Sequence, residues 1–297
     1  MVLPKQSIEN KIIKRTTVGT LLSWGERFLA RSGISSPLFC SEEILRFVLK
    51  KRKRSDLYLS DDTMVLQKAQ VNEFYSLVER RGGRYPLQYI TQEVGFLDFI
   101  LKVHDGVFIP RPETEILVTE TLKRLKDGVR YSVLDIGTGT GNIALSIAQY
   151  APHAHICAVD ISDDALRVAH ENATRVGVSK QIDFKKSDCF LNIERGRTFD
   201  LIISNPPYIA RSEFSSLEDE VRAEPYAALY GGGDGLDFYR HIVKEAPLFL
   251  NRRSLLSLEV GAGQAEAVKT ILTNGNFRNS EIYKDYSHCN RVVIAEW

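Results

Sequence analysis

No apolar run in the sequence approaches the ~18 residues that a membrane-spanning helix requires. Cysteine is scarce. Four residues, Cys40, Cys157, Cys189 and Cys289, lie far apart with no C-x-x-C pair, which suits neither a disulfide framework nor a zinc site. Charge excess is also missing: 39 Lys+Arg against 38 Asp+Glu leave a net charge of +1, so no bulk attraction to a phosphate backbone is available. The opening segment MVLPKQSIENKIIKRTT has basic residues without a following apolar stretch of ~7 to 15 residues, so no secretory signal is expected and the protein is expected in the cytoplasm. Internal repeats and low-complexity stretches are absent, and 43% hydrophobic content is ordinary for a globular chain. At 297 residues the expectation is two units.

The first of these, residues 1–85, reads as a small helical domain. Val18, Leu21, Leu22, Gly25, Phe28 and Leu29 recur at helical spacing and stop at Ser32-Gly33. Ile44, Leu45, Val48 and Leu49 mark a second helix after Ser41. Leu66, Ala69, Phe74, Leu77 and Val78 mark a third, from near Asp61 to Gly82-Gly83. Residues 86–110 read as a β-hairpin linker, with GFLDFILKV and GVFIP joined by HDG, because Asp-Gly between alternating apolar segments favours a tight turn. In residues 111–297, strand-like runs (SVLDI, HICAVD, IDFKK, FDLIIS, LLSLEV) alternate with helical ones (NIALSIAQY, DDALRVAHENATRV, LDFYRHIVKEAPLFL, QAEAVKTILTN). Such alternation predicts an α/β fold, a parallel sheet covered by helices on both faces.

VLDIGTGTGNIALSIA puts a glycine-rich turn, Gly137-Thr138-Gly139-Thr140-Gly141, between a buried strand and a helix. Ligands bind beyond the carboxyl ends of such strands, where glycine lets backbone N–H groups come close. A dinucleotide fingerprint would need its third glycine at Asn142, so NAD is not expected. Asp160 ends the next strand, where a carboxylate can accept from both ribose hydroxyls; its other reading is a helix cap beside Ser162. The pattern Asp-x-Gly-x-Gly-x-Gly with a strand-ending acid resembles S-adenosylmethionine-dependent methyltransferases. That resemblance implies a Rossmann-like seven-stranded methyltransferase sheet, with Asp188 at the adenine and Cys189 beside the ring; Asp188 read alone could equally be a turn residue.

FDLIIS is followed by Asn205-Pro206-Pro207-Tyr208. Methyl transfer to an amide or aromatic NH2 requires a delocalised lone pair to be freed, which two acceptors placed out of plane promote. Asn205 offers its side-chain oxygen and Pro206 its backbone carbonyl. The prolines restrict φ and donate nothing, so those acceptors stay aimed. Tyr208 offers a ring to stack on a flat group. A proline-stiffened loop is the plain alternative, but a specified N-P-P-Y arises by chance in on the order of one chain in a thousand of this length.

N-P-P-Y stands here with FIPRPETE (108–115), EPYAALYGGGDGLDFYR (224–240), LEVGAGQ (258–264) and the closing DYSHCNRVVIAEW. Together these resemble the peptide chain release factor N5-glutamine methyltransferases over most of the chain, the helical N-terminal domain included. The resemblance implies S-adenosyl-L-methionine as methyl donor, S-adenosyl-L-homocysteine as product, and the glutamine of the Gly-Gly-Gln loop of class 1 release factors as substrate. By the same resemblance Arg111, Glu113 and Thr114 border the cleft, although RPETE also reads as a helix start with Pro112 in its first turn. An adenine-N6 nucleic-acid methyltransferase would use the same tetrad but calls for a basic face, so no stable nucleic-acid partner is expected. His153-x-His155 lacks a carboxylate or cysteine neighbour, so no metal is expected. GAGQ at 261–264 reads as a structural strand-to-helix turn. The chain departs from the family at Arg84-Tyr85-Pro86, where Gly-Glu-Pro is common, and at the basic run Lys50–Arg54, which reads first as a solvated face, then as a docking patch and last as a nuclear signal.

Overall fold

The computed structural model describes residues 17–59 and 66–297. The opening segment read for a secretory signal (but for Thr17) and the helix start placed near Asp61 lie outside them. By its contacts the chain divides into two units: one ends at Gln92 and takes in Asp219–Ala223, the other comprises Glu93–Glu218 and Glu224–Trp297.

The first unit is helical. Thr17 caps α1 (Val18–Arg31), its hydroxyl accepting from the Thr20 N–H while the Thr17 N–H donates to the Thr20 hydroxyl at 3.0 Å. The predicted stripe of Leu21, Leu22, Gly25 and Leu29 is the buried face. The second helix, α2 (Pro37–Val48), begins four residues earlier than Ser41, because Pro37 opens it with a preset φ. Ser41 is instead buried in its first turns, its hydroxyl donating to the Leu22 carbonyl at 3.3 Å. Only glycine fits opposite: a Cβ on Gly25 would collide with that hydroxyl and sit 2.9 Å from the Phe74 ring. α3 (Lys68–Gly82) supplies Phe74 and Val78, fully buried with Ile44 and Leu45. Each of these side chains contributes roughly 1.5–3 kcal/mol of transfer free energy.

Both departures from the family pattern fall in this unit. Arg84 takes φ +66°, a left-handed conformation that suits glycine and costs other residues roughly 1–2 kcal/mol. Its guanidinium offsets part of that cost by donating to the Gly33 carbonyl at 2.8 Å and pairing with Glu220, which also holds Arg81 at 3.0 Å. In the basic run, Lys50 and Lys51 close α2 through backbone bonds to Phe47 and Arg46. Arg54 is consumed by Glu42 and Glu43 at 3.0 and 3.3 Å, and Lys50, Arg52 and Lys53 remain as exposed cations.

The second unit opens with an antiparallel hairpin, β1 (Glu93–Phe96) and β2 (Phe99–Lys102), turning at Leu97-Asp98. The strand pairing predicted across HDG is therefore misplaced. Asp105-Gly106 does turn the chain, but GVFIP cannot pair with β2. Val107 packs on Ala165 and Val168, the Ile109 N–H donates to the Glu224 carboxylate, and the Asn172 side chain occupies the Lys102 N–H and carbonyl.

After α4 (Pro112–Leu122) come β3 (Ser132–Ile136), α5 (Asn142–Tyr150), β4 (His155–Asp160), α6 (Asp163–Val176), β5 (Ile182–Lys186) and β6 (Phe199–Ser204). α7 (Asp237–Glu245), β7 (Leu250–Glu259), α8 (Ala265–Asn274), β8 (Arg278–Lys284) and β9 (Asn290–Glu296) complete the unit. The seven strands are ordered β5-β4-β3-β6-β7-β9-β8. Five run parallel, whereas β9 is antiparallel to β7 and β8 to β9, so the sheet is mixed where a parallel one was predicted. The last two strands escape the alternating pattern because no helix separates them. β8 is a polar edge strand with no buried residue.

Helices cover both faces. Leu134, Ile202, Leu256 and Leu258 pack with Tyr239 and Ile242 of α7 and Val268 and Leu272 of α8. Val133, Ile156, Leu201 and Ile203 pack with Leu117 of α4 and Ile143 and Ile147 of α5. The chain steps outward from β3 to β4 and β5, then returns to β6 on the other side. That reversal opens a crevice at the carboxyl ends of β3 and β6, the usual ligand position of such sheets.

Candidate active site

The turn after β3 is closed by the Gly141 N–H donating to the Thr138 carbonyl at 2.8 Å and is tied to its neighbours. Gly137 and Thr138 both donate backbone N–H to the Val159 carbonyl at 2.9 Å, and the Thr138 hydroxyl donates to Asp135 at 2.7 Å. Gly137, Gly139 and Gly141 take φ of +72°, +55° and +84°. For Gly141 there is a second constraint, since a Cβ would lie 2.6 Å from the Leu145 side chain and 3.1 Å from Ala169. Around Gly137 and Gly139 a Cβ would meet nothing within 4 Å, so their backbone borders open space at the strand ends. Thr140 and Asn142 are bonded to each other at 3.4 Å, and Asn172 holds the Thr140 carbonyl at 3.0 Å.

Asp160 stands at the end of β4. One carboxylate oxygen accepts from the Gly139 N–H and the other from the Ser162 N–H, both at 2.9 Å. Its carboxyl is held above its ordinary range by burial, against those backbone donors. The cap of α6 is Ser162, whose hydroxyl accepts from Ala165, so Asp160 is not needed for that task. The Ser187 N–H donates to the Asp160 carbonyl at 3.0 Å, which brings the turn after β5 to the same edge. There Asp188 is exposed and Cys189 is buried at φ +45°, its thiol pushed up to about 12 by burial and the Asp188 charge. Asp135 lies beneath, fully buried, with one oxygen unpartnered; burial pushes its carboxyl up to about 7.

The tetrad leaves β6 beside this edge, anchored by the Ser204 hydroxyl donating to the Ile136 carbonyl at 2.8 Å. Asn205 donates from Nδ2 to the Thr114 hydroxyl at 3.1 Å, which commits one amide hydrogen and leaves the amide oxygen as an acceptor. Pro206 is buried, Pro207 and Tyr208 are half-buried, and burial pushes the Tyr208 phenol up to about 12. The glycine-rich segment 231–235 lies directly against this backbone. A Cβ on Gly231 would be 2.7 Å from the Pro207 carbonyl oxygen and the Tyr208 Cα, and one on Gly235 would strike the Tyr208 carbonyl. Ile209 also donates to Leu229 and accepts from Gly231.

The three residues read from RPETE separate. Thr114 is 1% exposed and sits behind Asn205. Glu113 is half-buried in the first turn of α4. Arg111 precedes that helix and is paired with Glu224, a carboxylate 1% exposed that also accepts from the Ile109 N–H at 3.0 Å. Its guanidinium lies over the Phe108 ring at 4.9 Å. Arg111 thus holds the segment before α4 through Glu224.

Three site residues escaped sequence reasoning. Glu224 was quoted only as part of a motif. Gln264, in the turn read as structural, accepts from the Gly261 N–H at 3.0 Å and donates to the Tyr208 carbonyl at 2.9 Å, tying two loops to the tetrad. Glu259 ends β7 beside the tetrad, 1% exposed, with neither carboxyl oxygen hydrogen-bonded. An acidic residue at the end of a buried strand was the available signal for Glu259, whereas Glu224 and Gln264 lie in connecting segments and carried none. Among the described residues, no group of three His, Cys, Asp or Glu side chains could hold a metal, and no helix is long and apolar enough to cross a membrane.

Comparison with known proteins agrees with this architecture. Residues 20–91 match the PrmC N-terminal domain and residues 100–235 the Methyltransferase small domain. A release factor glutamine methyltransferase from Moorella thermoacetica is 38% identical over 281 residues, covering 94% of this chain and 98% of that protein. One from Geobacter sulfurreducens is 40% identical, covering 93% and 95%. Among solved structures, a methyltransferase from Pyrococcus furiosus shares the fold at 18% identity and a TM-score of 0.50, over 66% of this chain and 87% of that one.

Proposed function

The chain belongs to the release factor glutamine methyltransferases, and from that premise we propose that it methylates the side-chain amide nitrogen of the glutamine in the Gly-Gly-Gln loop of class 1 release factors. S-adenosyl-L-methionine supplies the methyl group as an electrophile on a sulfonium. The open space beside Gly137 and Gly139, and the strand-end acids Asp160 and Asp188 gathered at one edge, fit such a ligand. Gly137 to Gly141 present backbone to it, Asp160 accepts from its ribose hydroxyls, and Asp188 with Cys189 borders its adenine.

One observation carries the chemistry: Asn205 turns its NH2 to Thr114, giving it one amide hydrogen, and keeps its oxygen as an acceptor. That oxygen and the Pro206 carbonyl accept the two N–H groups of the substrate amide, bias its nitrogen toward a pyramidal geometry and hold the lone pair in line. Tyr208 packs its ring on the flat amide, and Pro207 stiffens the loop. Glu113 borders the substrate, whereas Arg111 and Thr114 act by holding other residues. The protein works in the cytoplasm on a protein partner and keeps no stable nucleic-acid partner, a reading supported by the net charge of +1.

The test is a transfer assay with labelled cofactor, offering a release factor, its Gln→Ala loop variant and adenine-containing DNA in parallel. Label should enter only the intact release factor. Asn205→Ala should cut the single-turnover rate by about 100- to 1,000-fold, the scale of losing one preorganised polar contact, with a much smaller change in cofactor affinity. Label in DNA, or transfer to the Gln→Ala variant, would remove the glutamine assignment.

A further inference from the structure

Glu259 has no role in the account above, yet it occupies a costly position. Both its carboxyl oxygens are buried and without a hydrogen-bond partner. Buried carboxyl groups are normally paired, because an unpartnered one loses its hydration without compensation. Strand register gives the surroundings. Leu201 pairs with Leu255 and Ile203 with Ser257, so the next alternate positions, Asn205 and Glu259, stand side by side on one face. Across β9, Glu259 pairs with Val292, which packs on the α4 face of the sheet. That helix carries Thr114, already bonded to Asn205. An accepting Thr114 hydroxyl keeps its own proton to donate, and the Asn205 NH2 has a second one.

Resting on the glutamine methyltransferase reading, we propose that Glu259 is a positioning residue: its carboxylate takes the Thr114 proton and the second Asn205 amide hydrogen, which fixes the Asn205 oxygen toward the substrate. A protonated Glu259 has the opposite effect, since its O–H can donate to that oxygen and compete with the substrate amide. Burial pushes this carboxyl up to about 7, against the Thr114 hydroxyl, the Arg291 guanidinium and the Asn205 amide, while Glu113 adds to the upward shift. The groups facing it are therefore Glu113 on α4, Arg291 on β9, Tyr208 in the tetrad and Tyr239 on α7, whose hydroxyl donates to the Glu259 carbonyl at 3.0 Å. The Asn205 geometry, and with it the transfer rate, should improve as pH rises through about 7.

Two measurements test this. The Asn205 side-chain amide resonances, identified by their loss in Asn205→Asp, should titrate with a midpoint near 7 in the wild type and stay fixed in Glu259→Gln. In single turnover on a release factor, wild type should show a rising limb over the same range. Glu259→Gln should lose that limb and run about 10- to 100-fold slower, the scale of removing an outer partner of a functional side chain, with cofactor affinity unchanged. Glu259→Asp, which keeps the charge, should retain the titration if the glutamine variant fails to fold. An Asn205 amide that titrates alike in wild type and Glu259→Gln, or does not titrate in wild type, overturns the proposal. So does a folded, cofactor-saturated Glu259→Gln enzyme at wild-type rate. Failure of the wild type to methylate any release factor would sink the substrate assignment alone, because the resonance titration needs no substrate.

Discussion

Replacing Gly231 by alanine should damage transfer without removing any side chain of the tetrad or touching the cofactor edge. The added Cβ would lie 2.7 Å from the Pro207 carbonyl oxygen and the Tyr208 Cα, and 2.9 Å from the Gly235 carbonyl oxygen. All three are backbone atoms, so no side chain can swing aside. They are pinned, too: Ile209 bonds Leu229 and Gly231, Asp237 bonds the Gly231 carbonyl, and Gln264 holds the Tyr208 carbonyl. Restoring an ordinary contact of 3.4 Å requires the tetrad backbone to retreat by about 0.7 Å, and a misplacement near 1 Å costs on the order of 100-fold in rate. The expectation is a loss of about 10- to 100-fold in single-turnover transfer. Overpacking should also cost about 1–3 kcal/mol in stability. Calorimetry should find cofactor affinity unchanged, since Gly137, Gly139 and Asp160 are untouched. Gly95→Ala is the control, because its Cβ would meet nothing within 4 Å and its φ is not positive. A Gly231→Ala enzyme that transfers methyl at the wild-type rate would refute the claim that segment 231–235 sets the position of the tetrad.

Asp160→Ala should weaken S-adenosylmethionine binding by about 1.5–3 kcal/mol, or roughly 10- to 150-fold in Kd by calorimetry, because it removes a charged acceptor and frees the Gly139 N–H. Unchanged affinity would leave Asp160 a purely internal clamp. Asp135 binds its proton more tightly when folded, with its carboxyl raised from 3.8 to about 7. Between those values the folded state holds a proton that the unfolded state has released, so stability should fall as pH rises through that window. Thermal melts from pH 5 to 8 should show this, and Asp135→Asn should remove its share; an unchanged slope would mean the carboxyl titrates normally. Substituting glutamine for Lys50, Arg52 and Lys53, but not the paired Arg54, should raise the KM for release factor and flatten its salt dependence if the run docks the partner. Identical kinetics across salt would leave it a solvated face.

What the sequence determined by itself was set by local pattern and short-range chemistry. The 3.6-residue stripe of α1, the continuous apolar runs of β3, β4 and β6, the glycines of the turn after β3 and the N-P-P-Y tetrad each state their own structure within about ten residues. Conformational freedom and periodicity are local properties, and these elements stand where they were read. Tertiary structure decided the rest. Asp-Gly promised a hairpin at residues 105–106, yet the strands pair around Leu97-Asp98, because Val107 packs on α6 and Glu224 claims the Ile109 N–H from 115 positions along the chain. No helix separates β8 from β9, and their antiparallel addition depends on the free edge that β7 offers. Only the fold sets the buried Glu224 carboxylate against Arg111 and the Thr114 hydroxyl against the Asn205 amide. Glu259 and Gln264 gained significance only from strand register and loop contact. A residue type states what it can donate or accept, whereas its partner is chosen by chain segments that meet only when the sheet has formed.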